Sequence, residues 1–223
     1  MEETKMPIMD DETKKKVIES MEVMERPIHI LMFEDKKDCQ LCQETKKIVE
    51  ELTSLTGKLT HEVIDLGEDT SLADKYGGDK TPAILVMKGT KDDHRYTGVR
   101  FFGIPAGYEF TSLLDSVLTA SREETSISKE TKEYLKDLNR DIHMLVFVTP
   151  QCPYCPRSVV LAHHLAMESN RITADMIEAS EFPELAQKYK VMGVPRTVVN
   201  GEFHQEGAAP ERMIVDLIKK AAS

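Results

Sequence analysis

The sequence lacks any apolar run of the roughly 18 residues that a membrane span needs. Its opening, MEETKMPIMDDETKKK, lacks the apolar core and cleavage site of a secretory leader. The expectation is a cytoplasmic setting with no membrane association. Excess basic charge is also missing: 29 Lys and Arg against 39 Asp and Glu leave a net charge of -10, which opposes binding to the phosphates of nucleic acid. The one basic run, Lys14 to Lys16, closely follows Asp10, Asp11 and Glu12 and reads as a solvated helix face. Asn and Gln are scarce, three and five residues, beside many Lys and Glu, which leans toward a thermophile's composition. Cysteine is scarce too. All four fall in two C-x-x-C pairs, Cys39/Cys42 and Cys152/Cys155, so none is left for a scattered disulfide framework, and redox or metal chemistry is the reading.

What is present is a globular composition, 40% apolar and 30% charged over 223 residues. That length suits one large domain or two of about 100 to 120 residues. An internal repeat chooses between them. Cys39 to Pro82 spans 43 positions and so does Cys152 to Pro195. The same offset of 113 maps Lys75-Tyr76 onto Lys188-Tyr189 and Asp65 onto Glu178, while PIHILMF (27–33) matches DIHMLVF (141–147) with one extra residue. Each half reads β-α-β-α-β-β-α: an apolar strand, a polar turn, C-x-x-C, and then apolar positions at helical spacing such as Leu41, Ile48, Val49, Leu52 and Leu55. The periodicity predicts leading helices over Glu12 to Met24 and Lys129 to Leu138, and closing helices over Glu109 to Ala120 and Glu211 to Ala221. The polar stretch SREETSIS (121–128) reads as a linker. The expected domains are therefore 1–123 and 124–223.

The chemistry follows from position. A thiolate attacks disulfides, and a helix N-terminus lowers a thiol's pKa through free N–H donors and positive partial charge. Cys39 and Cys152 are expected there as nucleophiles, with Cys42 and Cys155 about one turn on as less exposed resolving thiols. Pro153 fits a first helical turn, leaving the N–H groups of Tyr154 and Cys155 free to face the Cys152 sulfur. The matched spacing predicts cis peptide bonds before Pro82 and Pro195, where Thr81 and Val194 would offer main-chain groups to an extended substrate. Thr81, Pro82, Val194 and Pro195, with the Pro153-Tyr154 insert, form the expected substrate-contacting set. The histidines read as structural: His29 and His143 are matched strand positions, and His163 and His164 point in different directions from one helix. Gly77-Gly78 reads as a turn rather than a phosphate loop, and the matched acids Asp65 and Glu178 have no role assigned.

These residues resemble the two-domain protein disulfide oxidoreductases of archaea and thermophilic bacteria, also called glutaredoxin-like proteins. The resemblance covers nearly the whole chain and rests on CQLC and CPYC, FVTPQCPYCP, GIPAGYEF and MGVPRTVV. CPYC is also the insert of glutaredoxins. The resemblance implies two tandem thioredoxin-fold domains of α/β class, each with a mixed sheet flanked by helices. It further implies dithiol–disulfide exchange on protein substrates, no cofactor beyond the two disulfides, and reduction by a thioredoxin-reductase-like NADPH flavoenzyme. The chain departs from thioredoxin six residues before each first cysteine, where Phe33 and Val146 replace a buried carboxylate. NGEFHQEGAAP (200–210) also lacks the Gly-Gly-x-x-Asp pattern of glutathione-using glutaredoxins. Two other readings compete. A four-thiolate zinc site would need all four sulfurs within about 2.3 Å of one ion, across the 109 residues 43–151. A non-catalytic docking role for one half would leave its cysteines unused.

Overall fold

The computed structural model describes residues 8–223; residues 1–7, on which part of the N-terminal reading rests, lie outside it. The elements run α1 (Asp11–Met21), β1 (Ile28–Glu34), α2 (Cys42–Ser54), β2 (Leu59–Asp65), α3 (Ser71–Tyr76), β3 (Ala83–Gly89), β4 (His94–Phe102) and α4 (Glu109–Arg122). The second half repeats them as α5 (Lys129–Lys136), β5 (Ile142–Val148), α6 (Cys155–Glu168), β6 (Ile172–Glu178), α7 (Pro183–Lys188), β7 (Arg196–Val199), β8 (Phe203–Glu206) and α8 (Glu211–Ala222). The leading helices are each shorter than their apolar spacing predicts, because the last apolar residues, Met24 and Leu138, stay buried in turns beyond the helix ends.

The two halves do not carry separate sheets. One eight-stranded sheet runs β2-β1-β3-β4-β6-β5-β7-β8, and its seam is the parallel pairing of β4 with β6, from Val99↔Ala174 to Phe102↔Ile177. The strand IHILMFE of β1 is buried along its whole length, as a central strand with helices on both faces must be. On one face the helices α2, α4, α6 and α8 cover a large core with their apolar stripes, including Val49, Val117, Val159 and Ile218. On the other, α3 and α7 contribute Ala73 and Leu185 to a smaller core around Phe33, Phe102 and Phe147.

The stretch read as a linker is pinned. Ser121 is the penultimate residue of α4, and its hydroxyl donates to the Arg26 carbonyl at 2.6 Å. Ile127 is buried, and Ser128 caps α5 by accepting the Thr131 N–H. Some of its polar side chains thus satisfy backbone groups, while Glu123, Glu124, Ser126 and Ser128 are exposed, as in a linker.

Because β1 is antiparallel to β3, β3 to β4, and β4 parallel to β6 and β6 to β5, β1 and β5 point the same way. The loops that leave their C-terminal ends, which carry the two C-x-x-C pairs, therefore emerge from one end of one sheet. They lie four strand spacings apart, about 19 Å.

Candidate redox sites

Each cysteine pair closes into a disulfide across 5.5 Å between Cα atoms. The outer and inner members differ in access. Cys42 is the first residue of α2 and 2% exposed, whereas Cys39 stands half-buried in the preceding turn. Cys155 is the first residue of α6 and has no exposed surface, whereas Cys152 is 8% exposed. In each pair the first cysteine is the more exposed, so attack from outside favours the first sulfur over the second.

One placement needs correction. Pro153 lies in the turn before α6, not in its first turn; the helix starts at Cys155, and Pro156 takes the early helical position where a missing N–H is no loss. The C-P-Y-C-P run offers two prolines, and the turn Thr149–Cys152, closed by a 3.1 Å bond from the Cys152 N–H to the Thr149 carbonyl, delays the helix by two residues.

Thr81-Pro82 and Val194-Pro195 are both cis. Each proline directly precedes the strand that pairs antiparallel with the strand feeding the cysteine loop, β3 with β1 and β7 with β5. The Val194 carbonyl oxygen lies 3.8 Å from the Cys152 sulfur. Tyr154 is 70% exposed between the two cysteines. The structure thus gathers Cys152, Cys155, Tyr154, Val194 and Pro195 at one end of the sheet, and Cys39, Cys42, Thr81 and Pro82 along the same end. It does not bring the four sulfurs together, since β3, β4 and β6 separate the two loops. Among the described residues no group of three or more His, Cys, Asp or Glu is arranged to hold a metal ion.

Phe33 and Val146 are fully buried, so neither site has a carboxyl where thioredoxins keep one. A carboxyl reaches the second site from elsewhere. Glu109 opens α4 and is buried, with one oxygen accepting the Ser112 hydroxyl at 2.7 Å and the other without a hydrogen-bond partner among the described residues. Burial pushes its pKa up to about 7, against the smaller opposing pull of Ser112. Glu109, Ser112, Ser116 and Thr119 recur at helical spacing on one face of α4. That face meets α6: Ser116 lies 3.0 Å from His163, and Thr119 lies 3.2 Å from His164. The Tyr108 N–H donates to the Pro150 carbonyl at 3.0 Å, two residues before Cys152. With α4 and α6 thus running side by side in the same sense, Glu109 lies beside the first turn of α6, where Cys155 and the unpartnered Ser158 hydroxyl sit.

The remaining candidate residues have partners of their own. His163 is fully buried, its pKa lowered to about 3 by burial, and so stays neutral. His29 packs 2.8 Å from Thr60, and His143 lies 2.6 Å from the buried Asp175. Gly77 ends α3 in the left-handed conformation, as a turn glycine. The matched acids diverge. Asp65 is held below the usual carboxylate range by the Gly67 N–H and by Lys36, 3.2 Å away. Glu178 is buried and accepts the Glu181 N–H at 2.7 Å. Glu181 itself is pushed up to about 7 by burial, with the Glu178 charge adding to the shift.

Residues 142–219 match the thioredoxin domain family described as "Thioredoxin domain". Over 96% of its length the chain superposes on a protein disulfide oxidoreductase from Aeropyrum pernix, covering 93% of that chain at 29% identity and a TM-score of 0.88. It also superposes over 93% of its length on the NTD_N/C domain of alkylhydroperoxide reductase AhpF from Enterococcus faecalis, covering 98% of that chain at 25% identity and a TM-score of 0.86. In sequence, 74% of the chain is 29% identical to an alkyl hydroperoxide reductase chain of Staphylococcus aureus, of which it covers 31%. The chain spans about a third of the length of the curated relatives it matches. No helix of the described residues is long and apolar enough to cross a membrane.

Proposed function

We propose, from the premise that the chain is a tandem thioredoxin-fold disulfide oxidoreductase, that it catalyses dithiol–disulfide exchange on protein substrates through both cysteine pairs. The observation that carries this reading is the repeated pairing of a more exposed outer cysteine with a more shielded inner one, each closed as a disulfide beside an X-Pro loop. In the reducing direction the thiolate of Cys39 or Cys152 attacks a client disulfide. A mixed disulfide forms and one client thiolate leaves. Cys42 or Cys155 then gives up its proton and attacks the mixed disulfide, which releases the second client thiolate and leaves the enzyme oxidised by two electrons. The same steps in reverse oxidise a client dithiol. Isomerisation uses the same mixed disulfide but not the resolving cysteine: the freed client thiolate exchanges with another client disulfide, and a client thiolate then attacks the mixed disulfide and expels the enzyme thiolate, with no net change of oxidation state.

Residues 1–123 and 124–223 are proposed as the two redox modules, with Thr81, Pro82, Val194, Pro195, Pro153 and Tyr154 bordering the bound client. Reduction of the enzyme is assigned to a thioredoxin-reductase-like NADPH flavoenzyme rather than to glutathione. The absent Gly-Gly-x-x-Asp pattern after Pro195 supports that choice, as does the likeness to a domain of alkylhydroperoxide reductase AhpF. The setting is proposed to be cytoplasmic.

The test is covalent trapping. Cys42→Ser and Cys155→Ser, each in a chain whose other pair is Ser, should accumulate a mixed disulfide with a reducible client such as insulin. If neither variant does so, the two-cysteine cycle is wrong.

A further inference from the structure

Seven large apolar side chains are exposed among the described residues: Ile8, Ile18, Val23, Tyr108, Tyr154, Met192 and Met213. The first three belong to the α1 region and Met213 to α8. The other three come from distant parts of the sequence and converge on the second redox site. Tyr154 stands between the cysteines. Tyr108 is tied through its N–H to Pro150, just ahead of Cys152. Met192, 90% exposed, precedes by two residues the Val194 whose carbonyl lies 3.8 Å from the Cys152 sulfur.

A groove of about 690 Å³ continues from this rim. It shares Val194 and Thr149 with the cysteine loops, has Val191, Met192, Pro183 and Ala186 among its walls, and has Lys190 as its one charged lining residue. Exposed apolar surface of this kind is costly to leave in water, and a pliable Met beside an aromatic anchor can adapt to varied apolar side chains.

The first site, built by the same repeat, is different. The offset of 113 sets Val191-Met192-Gly193-Val194 against Gly78-Asp79-Lys80-Thr81, and Tyr154 against Leu41. There the place of the exposed methionine is taken by Asp79, which is paired with Lys80 at 2.6 Å. The backbone frame is common to both sites, so the rim chemistry separates them.

We propose that the second redox site is a docking surface for extended client segments that carry bulky apolar side chains next to their half-cystine, and that the first site does not share this preference. This rests on the redox reading above and names its substrate class at one site. The client's backbone would run along Val194, one apolar side chain would enter the groove beside Met192, and the chain on the other side of the sulfur would meet Tyr154 and Tyr108. Folded partners with charged surfaces have no counterpart for this rim.

The experiment uses full-length chains that keep one cysteine pair, the other being changed to Ser. Substrates are two short peptides, each joined by a disulfide to a small fluorescent thiol, one with Leu and Phe flanking its cysteine and one with Glu and Lys, together with hydroxyethyl disulfide. With only Cys152/Cys155 present, the apolar peptide should have a kcat/KM about tenfold above the charged one, carried by KM, the size expected for burying part of one apolar side chain. With only Cys39/Cys42 present the two peptides should differ by less than about twofold. Met192→Asp should collapse the second site's ratio to that of the first, and Asp79→Met should raise the first site's ratio. Equal kcat/KM for the two peptides at the second site, or a ratio that Met192→Asp leaves unchanged, overturns the proposal while turnover of hydroxyethyl disulfide keeps the redox reading intact. Absence of turnover on hydroxyethyl disulfide as well overturns both. A dimer that Met192→Asp dissociates would give the patch to a second copy of the chain and also overturn the proposal.

Discussion

Arg100 and Asp175 face each other directly across the seam between the halves. They are register partners of β4 and β6, and the Arg100 guanidinium donates to both Asp175 oxygens, Nε at 2.6 Å and Nη2 at 3.0 Å. The third nitrogen, Nη1, donates to the carbonyls of Tyr76 at 3.0 Å and Gly77 at 2.9 Å, where the end of α3 presents unsatisfied acceptors and negative partial charge. Five residues beyond Gly77 is Pro82. One buried side chain thus joins the second half's β6 to the segment that leads into the first site's proline.

Removing one member of this pair should be costly. Burial alone would raise the Asp175 pKa, but the His143 hydrogen bond and the Arg100 charge outweigh it and hold the carboxyl below its usual value. Its contribution is therefore present above the unfolded carboxylate pKa and is lost as pH falls through the lower folded one. Asp175→Ala leaves a buried guanidinium unpaired, and we expect a loss of about 3 to 5 kcal/mol in denaturant unfolding at pH 7. An Arg100→Met, Asp175→Leu double variant should recover most of it. A loss under about 1 kcal/mol for the single variant would show the pair to be solvated.

The repeat was legible because the spacing from C-x-x-C to proline is fixed by a local β-α-β-α unit, which keeps its length when duplicated. The seam was not. Parallel pairing of β4 with β6 is non-local, and Val99, Phe101 and Phe102 read the same on an edge strand as on a central one. Arg100 in such a strand reads as an edge charge, and only the fold reveals its buried acid. Glu109 was hidden for a similar reason, since an acid in a helix's first turn is ordinary. The signal that could have exposed it is the polar stripe Glu109, Ser112, Ser116 and Thr119, which puts hydroxyls where a surface helix keeps apolar residues.

Gly107 should tolerate no side chain. Its φ is +59°, and a Cβ there would collide with the Pro150 carbonyl oxygen, so α4 enters against the loop that carries Cys152. We expect Gly107→Ala to cost about 1 to 3 kcal/mol and to lower peptide-disulfide turnover at the second site more than at the first. Equal losses at the two sites would separate this contact from the second site's chemistry.

Glu109 should give the second site its pH dependence. Resolution of the mixed disulfide needs the proton of the buried Cys155 removed, and Glu109, beside that turn, is a carboxyl poised near neutral pH. In a chain keeping only Cys152/Cys155, the resolution rate should rise with pH through about 7, and Glu109→Gln should lose that limb. Stability should move the other way. An acid whose folded pKa is raised above its unfolded value lowers stability as pH rises between the two, so the Gln variant should match the parent near pH 4 and exceed it by up to about 3 kcal/mol at pH 8. A Gln variant that keeps the rising limb would remove Glu109 from the reaction.

The two nucleophiles should differ, with Cys152 the more acidic. Both precede a helix N-terminus, so neighbouring charge and burial decide the order. Beside Cys39, Asp38 adds negative charge, and Lys36 is already engaged by Asp65 at 3.2 Å and Glu68 at 3.3 Å. Along the chain around Cys152 no Asp or Glu occurs from Ile142 through Met167, and Arg157 follows Cys155 by two residues; Glu109, the acid beside α6, is pushed up to about 7 by burial and so is neutral below that pH. Cys152 is also the more buried of the two. That deprives its thiolate of water, but it also strengthens the field of the α6 N-terminus and spares it the screening that exposed charges suffer. Thiolate absorbance titrated in two variants, one retaining Cys39 as its only cysteine and the other Cys152, should place the Cys152 transition at lower pH; the reverse order would mean that desolvation outweighs the helix field at this sulfur.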